Sequence, residues 1–173
     1  MNPDDDVGVW IIDSSALIKA KKIVSVSNQW DAFKQLEQMV VDGRIALPRQ
    51  VIKEMSDIAH PDLPGAWAPG VRANLKHTLD AGYEHIARVM SVAPDVVDVN
   101  KPGEDADPWV LALALHVKGE GHTVCIVTED IVDKTSISIA TACGRLALDY
   151  CGIRTFLGYC GITLLKVKEQ EDP

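Results

Sequence analysis

The 173-residue chain is 47% hydrophobic and 24% charged, which is ordinary for one globular domain with a sizeable core. Its formal net charge of −8 argues against a protein that holds nucleic acid by bulk electrostatics, because phosphate binding normally uses clustered Lys and Arg. No apolar run reaches the roughly 18 residues of a membrane span, so no membrane contact is expected. The acidic start, "MNPDDDVG", is unlike a secretory signal or a transit peptide. Since the four cysteines also lack C-x-x-C spacing, we expect a reduced, cytoplasmic protein.

Strand-like and helix-like segments alternate along the chain. Runs rich in β-branched and aromatic residues predict strands at 7–12, 44–47, 122–128 and 152–156. Apolar residues at helical spacing predict helices at 28–42, from Pro48 through Val51, Ile52, Met55 and Ile58, near 71–90, at 108–119 and at 137–150. Three prolines and two glycines predict a loop or lid at 60–70. Flexible tails are expected at 1–6 and 167–173.

This alternation predicts right-handed βαβ units. We therefore expect a single domain over residues 1–173 with an α/β fold, a three-layer α/β/α sandwich around a central, mostly parallel sheet. In such folds, ligands bind beyond the carboxyl ends of the strands. Residues that follow the buried strands are thus the first candidates for a functional site.

Acids directly follow two of these strands. Asp13 follows "VWII", and Glu129 and Asp130 follow "VCIVT". The alternative role for Asp13 is a helix N-cap, which Ser14 or Ser15 would fill as well. For the later pair, the alternative is that one of them is a solvated turn residue. Acids at two strand ends favour a shared site over coincidence.

Two further acids belong to predicted helices. Glu54 borders the apolar stripe of its helix, a position that suits either a partly buried ion pair or a site residue. Asp107 precedes Pro108, so a helix N-cap is a strong alternative for it. Glu104 and Asp105 crowd the same turn, however, and unpaired acids packed together repel unless protons or a cation compensate. The charge there exceeds what a cap needs.

Other kinds of site have less support. The five histidines show no H-x-x-x-H or comparable ligand spacing, which favours surface or core positions for His60, His77, His85, His116 and His122. The chain has no G-x-S-x-G, P-loop or G-x-G-x-x-G motif, so a hydrolase elbow or a nucleotide cradle is not indicated.

Four stretches, taken in order, resemble the PIN-domain nucleases and in particular the VapC-type toxin ribonucleases. They are "WIIDSSALIK", "LPRQVIKEM", "DADPWVLALA" and "TVCIVTED", while "CGIRTF" resembles the last core strand of that fold. The resemblance implies a PIN-like sandwich with an acidic Mg²⁺ or Mn²⁺ site. The metal-binding and catalytic acids that it implies are Asp13, Glu54, Asp107 and Asp130. Supporting hydroxyl groups are implied at Ser15 and Thr128, and Glu129 and Asp105 are further candidate ligands.

The activity that the resemblance implies is metal-dependent cleavage of RNA phosphodiester bonds by the toxin of a bacterial type II toxin–antitoxin pair. RNA, a cognate antitoxin protein and a second copy in a homodimer are the implied partners. Hard divalent cations prefer oxygen ligands and can neutralise charge that develops on a phosphodiester. A bound cation would also weaken the objection from net charge, because it inverts the local field.

Two alternatives remain open. A non-catalytic RNA-binding or protein-interaction module on the same fold would be marked by loss of the acids, and all four are present. A haloacid-dehalogenase-type phosphatase also has an Asp at the end of its first strand, but it needs a second Asp two residues later, where this chain has Ser15.

Overall fold

The computed structural model describes residues 7–57 and 62–166, which form four β-strands and eight α-helices. The strands are β1 (Val9–Ile12), β2 (Ile45–Ala46), β3 (Val124–Val127) and β4 (Asp149–Cys151). The helices are α1 (Ser14–Ile23), α2 (Val26–Val41), α3 (Arg49–Ser56), α4 (Leu63–Val71), α5 (Tyr83–Val92), α6 (Asp107–Gly119), α7 (Ile139–Leu146) and α8 (Ile153–Tyr159). The tails expected at 1–6 and 167–173, and the predicted helix position Ile58, lie outside the described residues.

The four strands are parallel and lie in the order β2-β1-β3-β4. β1 pairs with β3 from Val9 opposite Val124 to Ile12 opposite Val127. Every residue of both strands is buried, as expected for central strands with helices on both faces. The chain goes from β1 to β2 on one side and returns to place β3 on the other. The strand order therefore reverses between β1 and β3.

Helices cover both faces of the sheet, so the predicted three-layer α/β/α architecture is confirmed. One layer contains α5, α6 and α7, with α6 packed against β1 and β3. In the other layer α1 contacts α3, α4 and α8, and α2 contacts α4. Because α6 lies between the sheet and its neighbouring helices, it is apolar almost all round, as in Val110, Leu111 and Leu113.

The loop or lid predicted at 60–70 is wrong over its described part, because α4 occupies most of it. Asp62 is the N-cap of α4, and its carboxylate accepts the Gly65 N–H at 2.9 Å. Pro64 lies in the first turn, where a helix needs no N–H from it. Trp67 is buried and its indole N–H donates to a backbone carbonyl of α2 at 3.1 Å. Tertiary packing thus outweighs the helix-breaking composition.

The helix predicted near 71–90 is wrong in its first half. The chain makes a 3₁₀ turn at Arg72–Asn74, continues as an irregular connection and becomes helical only at Tyr83. Leu75 and Leu79 imitate helical spacing, but they pack against the core from that connection.

The strand predicted at 152–156 is also wrong, since these residues form the start of α8 and the last strand is β4. Ile153, Phe156 and Leu157 are buried at helical spacing, which a window of five residues does not distinguish from a strand. The preceding helix was predicted to reach 150. The helix instead ends at Leu146, because Ala147 adopts a left-handed conformation with φ of 52°.

Within the part of the chain that the structure describes, no helix combines the length and apolar character needed to cross a lipid bilayer. All four cysteines are free thiols, and Cys125, Cys143 and Cys151 are buried. These three pack as small apolar side chains.

Candidate metal centre

Asp13 lies at the carboxyl end of β1, where the strand order reverses and open α/β sheets bind their ligands. It is also the N-cap of α1, since its carboxylate accepts the N–H groups of Ser14 at 2.7 Å and Ser15 at 3.3 Å. The capping role considered from the sequence is therefore present, and Asp13 fills it. Its Oδ1 accepts only the Ser14 N–H among the described donors, so this oxygen keeps acceptor capacity for a further partner.

Two hydroxyl groups fix the other oxygen of Asp13. Ser15 Oγ and Thr128 Oγ1 both donate to Asp13 Oδ2, the latter at 3.0 Å. The same hydroxyl oxygens accept the N–H groups of Glu129 and Asp130, each at 3.0 Å. These bonds join the end of β1 to the end of β3. The sheet itself thus orients the Asp13 carboxylate.

Glu54 reaches the site from α3 and makes two contacts there. Ser14 Oγ donates to Glu54 Oε2 at 2.6 Å, and Lys101 Nζ donates to Glu54 Oε1 at 2.7 Å. Lys101 also donates to Asp105 Oδ1 at 2.8 Å. Burial alone would lower the pKa of Lys101, but its bonds to the two carboxylates raise that pKa above the usual value. One ammonium group thus bridges carboxylates from two separate segments.

Asp107 has no such partner. It is the first residue of α6 rather than its N-cap, so the capping role considered from the sequence is wrong for this residue. Within residues 7–57 and 62–166, no hydrogen-bond donor reaches its carboxylate. Burial, followed by the charges of Asp13, Asp105 and Asp130, raises the pKa of Asp107 to about 8, while the bridging ammonium acts the other way. Asp107 is therefore harder to ionise in the metal-free protein than an exposed aspartate.

The pKa of Asp13 is also raised, because the side chain is almost completely buried. Hydrogen bonds from Ser15, Thr128 and Ser14 oppose this effect, and the charge of Glu54 adds to it. The fold thus makes both acids at the centre of the cluster harder to ionise, which a nearby cation would reverse.

The adjacent acids Glu129 and Asp130 point to different helices. Glu129 Oε1 accepts the Ile153 N–H at 2.9 Å, at the N-terminus of α8. Asp130 Oδ2 accepts the Ile139 N–H at 2.9 Å, at the N-terminus of α7, and its charge also acts on Asp107. Both acids therefore interact with a helix N-terminus. Of the two, only Asp130 also has a charge effect on Asp107 among the causes of its pKa shift.

This set of donors fits a hard divalent cation. Carboxylate oxygens are the ligands that Mg²⁺ and Mn²⁺ prefer, and the unpartnered carboxylate of Asp107 has oxygens to offer. The cluster is open, since among the described residues no three of its acids bring oxygens within 4.8 Å of one another. Mg²⁺ keeps several of its waters and uses few carboxylates, so it suits an open site.

Two contacts of the site were not found from the sequence. Ser14 was considered only as an alternative cap, and Lys101 lies in a polar connection without a motif. Its spacing of four residues from Asp105 was the available signal. Asp105, a candidate ligand, uses Oδ1 for Lys101 and Oδ2 for the Asp98 N–H at 3.0 Å, so it organises the connection before α6.

The architecture and the acids define an open α/β domain with an acidic cluster at its topological switch point. The chain belongs to the family described as "Domain of unknown function (DUF4411)", whose sequence model matches residues 10–163. The match runs from β1 past α8 and includes every acid of the cluster. No curated protein matches the chain. Because the family description assigns no chemistry, function is argued from the site.

Proposed function

We propose that this protein is an Mg²⁺- or Mn²⁺-dependent endoribonuclease that cleaves RNA phosphodiester bonds. The observation that carries the proposal is Asp107, a carboxylate without a donor, next to Asp13, Asp105 and Asp130 and with a pKa of about 8. Repulsion among these neighbouring carboxylates contributes nothing to the stability of the fold. It is the arrangement expected where a cation binds, and strongly shifted pKa values in a cleft are typical of functional sites.

Each acid has a distinct part in this proposal. Asp13, Asp107 and Asp130 supply oxygen ligands from three segments, and Glu54 supplies a fourth. A cation bound there would neutralise charge on the phosphodiester and lower the pKa of a water. A cation at this position would lower the pKa of Asp107, and any proton on its carboxyl group would pass to solvent. The donors on Asp13 Oδ2 keep that carboxylate in one orientation during turnover.

Lys101 is a local positive charge that could bind RNA phosphate although the net charge of the protein is −8. A cavity of about 250 Å³ opens beside Glu54, and Gln50, Lys53 and Lys101 line it together with Glu104. Asp57 also lines the cavity, and Lys53 and Lys101 donate to Asp57 and Glu54, so the two lysines would contact phosphate oxygens in exchange for these partners. RNA affinity would then depend on few charges, and its salt dependence would be shallow.

The biological setting that we propose follows from the resemblance to VapC-type toxins. In that setting the protein works in the bacterial cytoplasm as a homodimeric toxin, and an antitoxin protein blocks its acid cluster. Expression of the chain alone should arrest growth, and co-expression of a small protein encoded next to it should restore growth. Growth arrest that persists in Asp107→Asn would contradict a nuclease toxin.

The alternative enzyme class is less compatible with the site. A haloacid-dehalogenase-type site needs a second Asp two residues after its nucleophile, and residue 15 of this chain is a serine. Hydrolysis of p-nitrophenyl phosphate by the wild-type chain, without cleavage of RNA, would favour the phosphatase.

The decisive experiment uses short, fluorescently labelled single-stranded RNAs of mixed sequence and the purified full chain. Cleavage should require Mg²⁺ or Mn²⁺ and stop with EDTA. It should be lost in Asp107→Asn and retained in Asp95→Asn, a matched change at an aspartate that pairs with Arg145. Equal RNA binding by wild type and Asp107→Asn with no cleavage by either would favour the non-catalytic module.

A further inference from the structure

His77 and His122 lie at the opposite edge of the sheet from the acids. His122 lies two residues before β3 and Glu120 is the C-cap of α6, the helix that begins at Asp107. His77 lies in the connection before α5, and its Nε2 is 2.9 Å from the carbonyl oxygen of Gly43, just before β2. Segments that are distant in sequence thus meet at the amino-terminal edge of the strands.

Three of these side chains have the spacing of metal ligands. One ligand atom each of His77, Glu120 and His122 lies within 4.8 Å of the other two. His77 Nδ1 is 3.8 Å from Glu120 Oε2. The rings of His77 and His122 are nearly perpendicular, with centroids 5.3 Å apart. This group is tighter than the acid cluster, which does not reach the same spacing among the described residues.

The bond from His77 to Gly43 determines which ring nitrogen is free. A carbonyl oxygen only accepts, so Nε2 of His77 carries the hydrogen and Nδ1 of the neutral ring has a lone pair. That lone pair faces the Glu120 carboxylate, which also only accepts. Two acceptors that face each other repel unless a proton, a water molecule or a metal ion lies between them. A metal-bound histidine typically donates its second N–H to a backbone carbonyl, as His77 does.

The three ligands differ in exposure. His77 is held by its carbonyl contact and its side chain is 10% exposed, whereas the Glu120 side chain is 48% exposed. Ligands around a tetrahedral Zn²⁺ with bonds of about 2.0 Å lie about 3.3 Å apart. The contraction needed is therefore small, and the exposed ligands supply it. His116 Nε2 lies 3.5 Å from Glu120 Oε1 and orients the second oxygen of that carboxylate.

We propose that His77, Glu120 and His122 form a second cation site, which binds a transition-metal ion with the preferences of Zn²⁺. Two imidazole nitrogens and one carboxylate oxygen favour Zn²⁺ over Mg²⁺, which selects oxygen ligands. The site is structural: it joins the end of α6 and the start of β3 to the connection that contains His77. It is independent of the nuclease proposal and would stand if that proposal failed.

The test measures Zn²⁺ binding by the full chain in excess Mg²⁺, which keeps the acid cluster from competing. Isothermal titration should give one equivalent of Zn²⁺ for wild type, and Zn²⁺ should raise the melting temperature. His122→Ala and Glu120→Gln should each weaken binding at least 10-fold and remove the thermal shift. Both side chains are exposed, so neither change should unfold the protein.

The matched control is His85→Ala, because His85 packs against His116 but is not one of the three ligands. Asp107→Asn is the second control, since it alters only the acid cluster. Both variants should keep the Zn²⁺ affinity of wild type. Unchanged Zn²⁺ affinity in His122→Ala, or the absence of Zn²⁺ binding in Mg²⁺-saturated wild type, would overturn the proposal and leave only a polar contact between His77 and Glu120.

Discussion

Two groups of aspartates in this protein are treated in opposite ways by the fold. Asp80 and Asp95 lie at the surface, and hydrogen bonds from Arg49 and Arg145 lower the pKa of each. Asp13 and Asp107 lie at the switch point of the sheet, where burial raises the pKa of both. The two surface aspartates have arginine partners, whereas among the described residues no donor reaches the Asp107 carboxylate. Burial and like charge at the acid cluster therefore oppose the stability of the metal-free fold.

The largest effect is expected for Asp107→Asn. The change preserves shape but removes a charged ligand, so RNA cleavage should fall about 10²-fold or more. The same change removes like-charge repulsion, so the metal-free protein should become more stable at pH 8. Cleavage assays and thermal unfolding in EDTA test both effects on one preparation. Lower stability together with full activity would reverse the roles assigned to Asp107.

The pH dependence of stability sharpens the contrast. The pKa of Asp107 is about 8 in the folded protein and about 4 in the unfolded chain. Between these values only the folded state holds the proton, so the contribution of Asp107 to stability falls as pH rises, by at most about 1.4 kcal/mol per pH unit. An amide does not titrate. The unfolding free energy of Asp107→Asn minus that of wild type should therefore rise from pH 4 to 8.

Urea unfolding in EDTA across this pH range measures the difference directly. Subtraction removes the acids with lowered pKa values, such as Asp80, whose effect on stability has the opposite sign. A difference that does not change with pH would mean that Asp107 is solvated in the metal-free protein.

Cation binding should compensate for the repulsion at the switch point. Mn²⁺ that binds only the native state at 100 times its dissociation constant stabilises by about 2.7 kcal/mol. The melting temperature of wild type should rise with millimolar Mn²⁺, and the rise should be smaller in Asp13→Asn. His122→Ala serves as the control, because it leaves the acids intact. An equal shift in wild type and Asp13→Asn would place the bound Mn²⁺ elsewhere.

Lys101→Gln removes an ammonium group that donates to Glu54 and Asp105. Lys101 is partly exposed, so its loss should lower the stability of the metal-free protein by only roughly 1 kcal/mol. Because its ammonium occupies oxygens of Glu54 and Asp105, the variant should bind Mn²⁺ more tightly than wild type. Isothermal titration measures this affinity. Weaker Mn²⁺ binding in the variant would show that Lys101 positions Glu54 for the cation.

The smallest effect is expected for Asp95→Asn. The pair with Arg145 is bidentate but exposed, and exposed pairs contribute little. The melting temperature should change only slightly, and the Mn²⁺ affinity should not change. A large loss of stability would contradict the distinction between the surface acids and the acids of the cluster.

The sequence was informative where the pattern is local and long. Buried strands with acids at their ends were predictable because the apolar runs before Asp13 and Asp130 are continuous. The helix at Leu63–Val71 was not, because its stability comes from the packing of Trp67 and from the Asp62 cap. Local composition carries no record of such tertiary contacts.

The resemblance implied four acids as metal ligands, a role that stays a prediction, but the partners of these acids could not be predicted from the sequence. Lys101 contacts Glu54 across 47 positions, a pairing that no local spacing encodes. The resemblance implied Asp130 as a ligand and Glu129 as a further candidate, and in the structure it is the charge of Asp130 that acts on Asp107. The histidine cluster was missed for the same reason, since His77 and His122 come from segments far apart in the chain.

The divergence of Glu129 and Asp130 has a consequence for the order of folding during synthesis. Each carboxylate accepts an N–H from a helix that is translated later, at Ile139 and at Ile153. On a ribosome, the chain through β3 can pair its first three strands before these helices exist. The geometry of Asp130 is set only after α7 has left the exit tunnel. A chain truncated before α7 would contain β1, β2 and β3 but would lack β4 and the Ile139 N–H that orients Asp130.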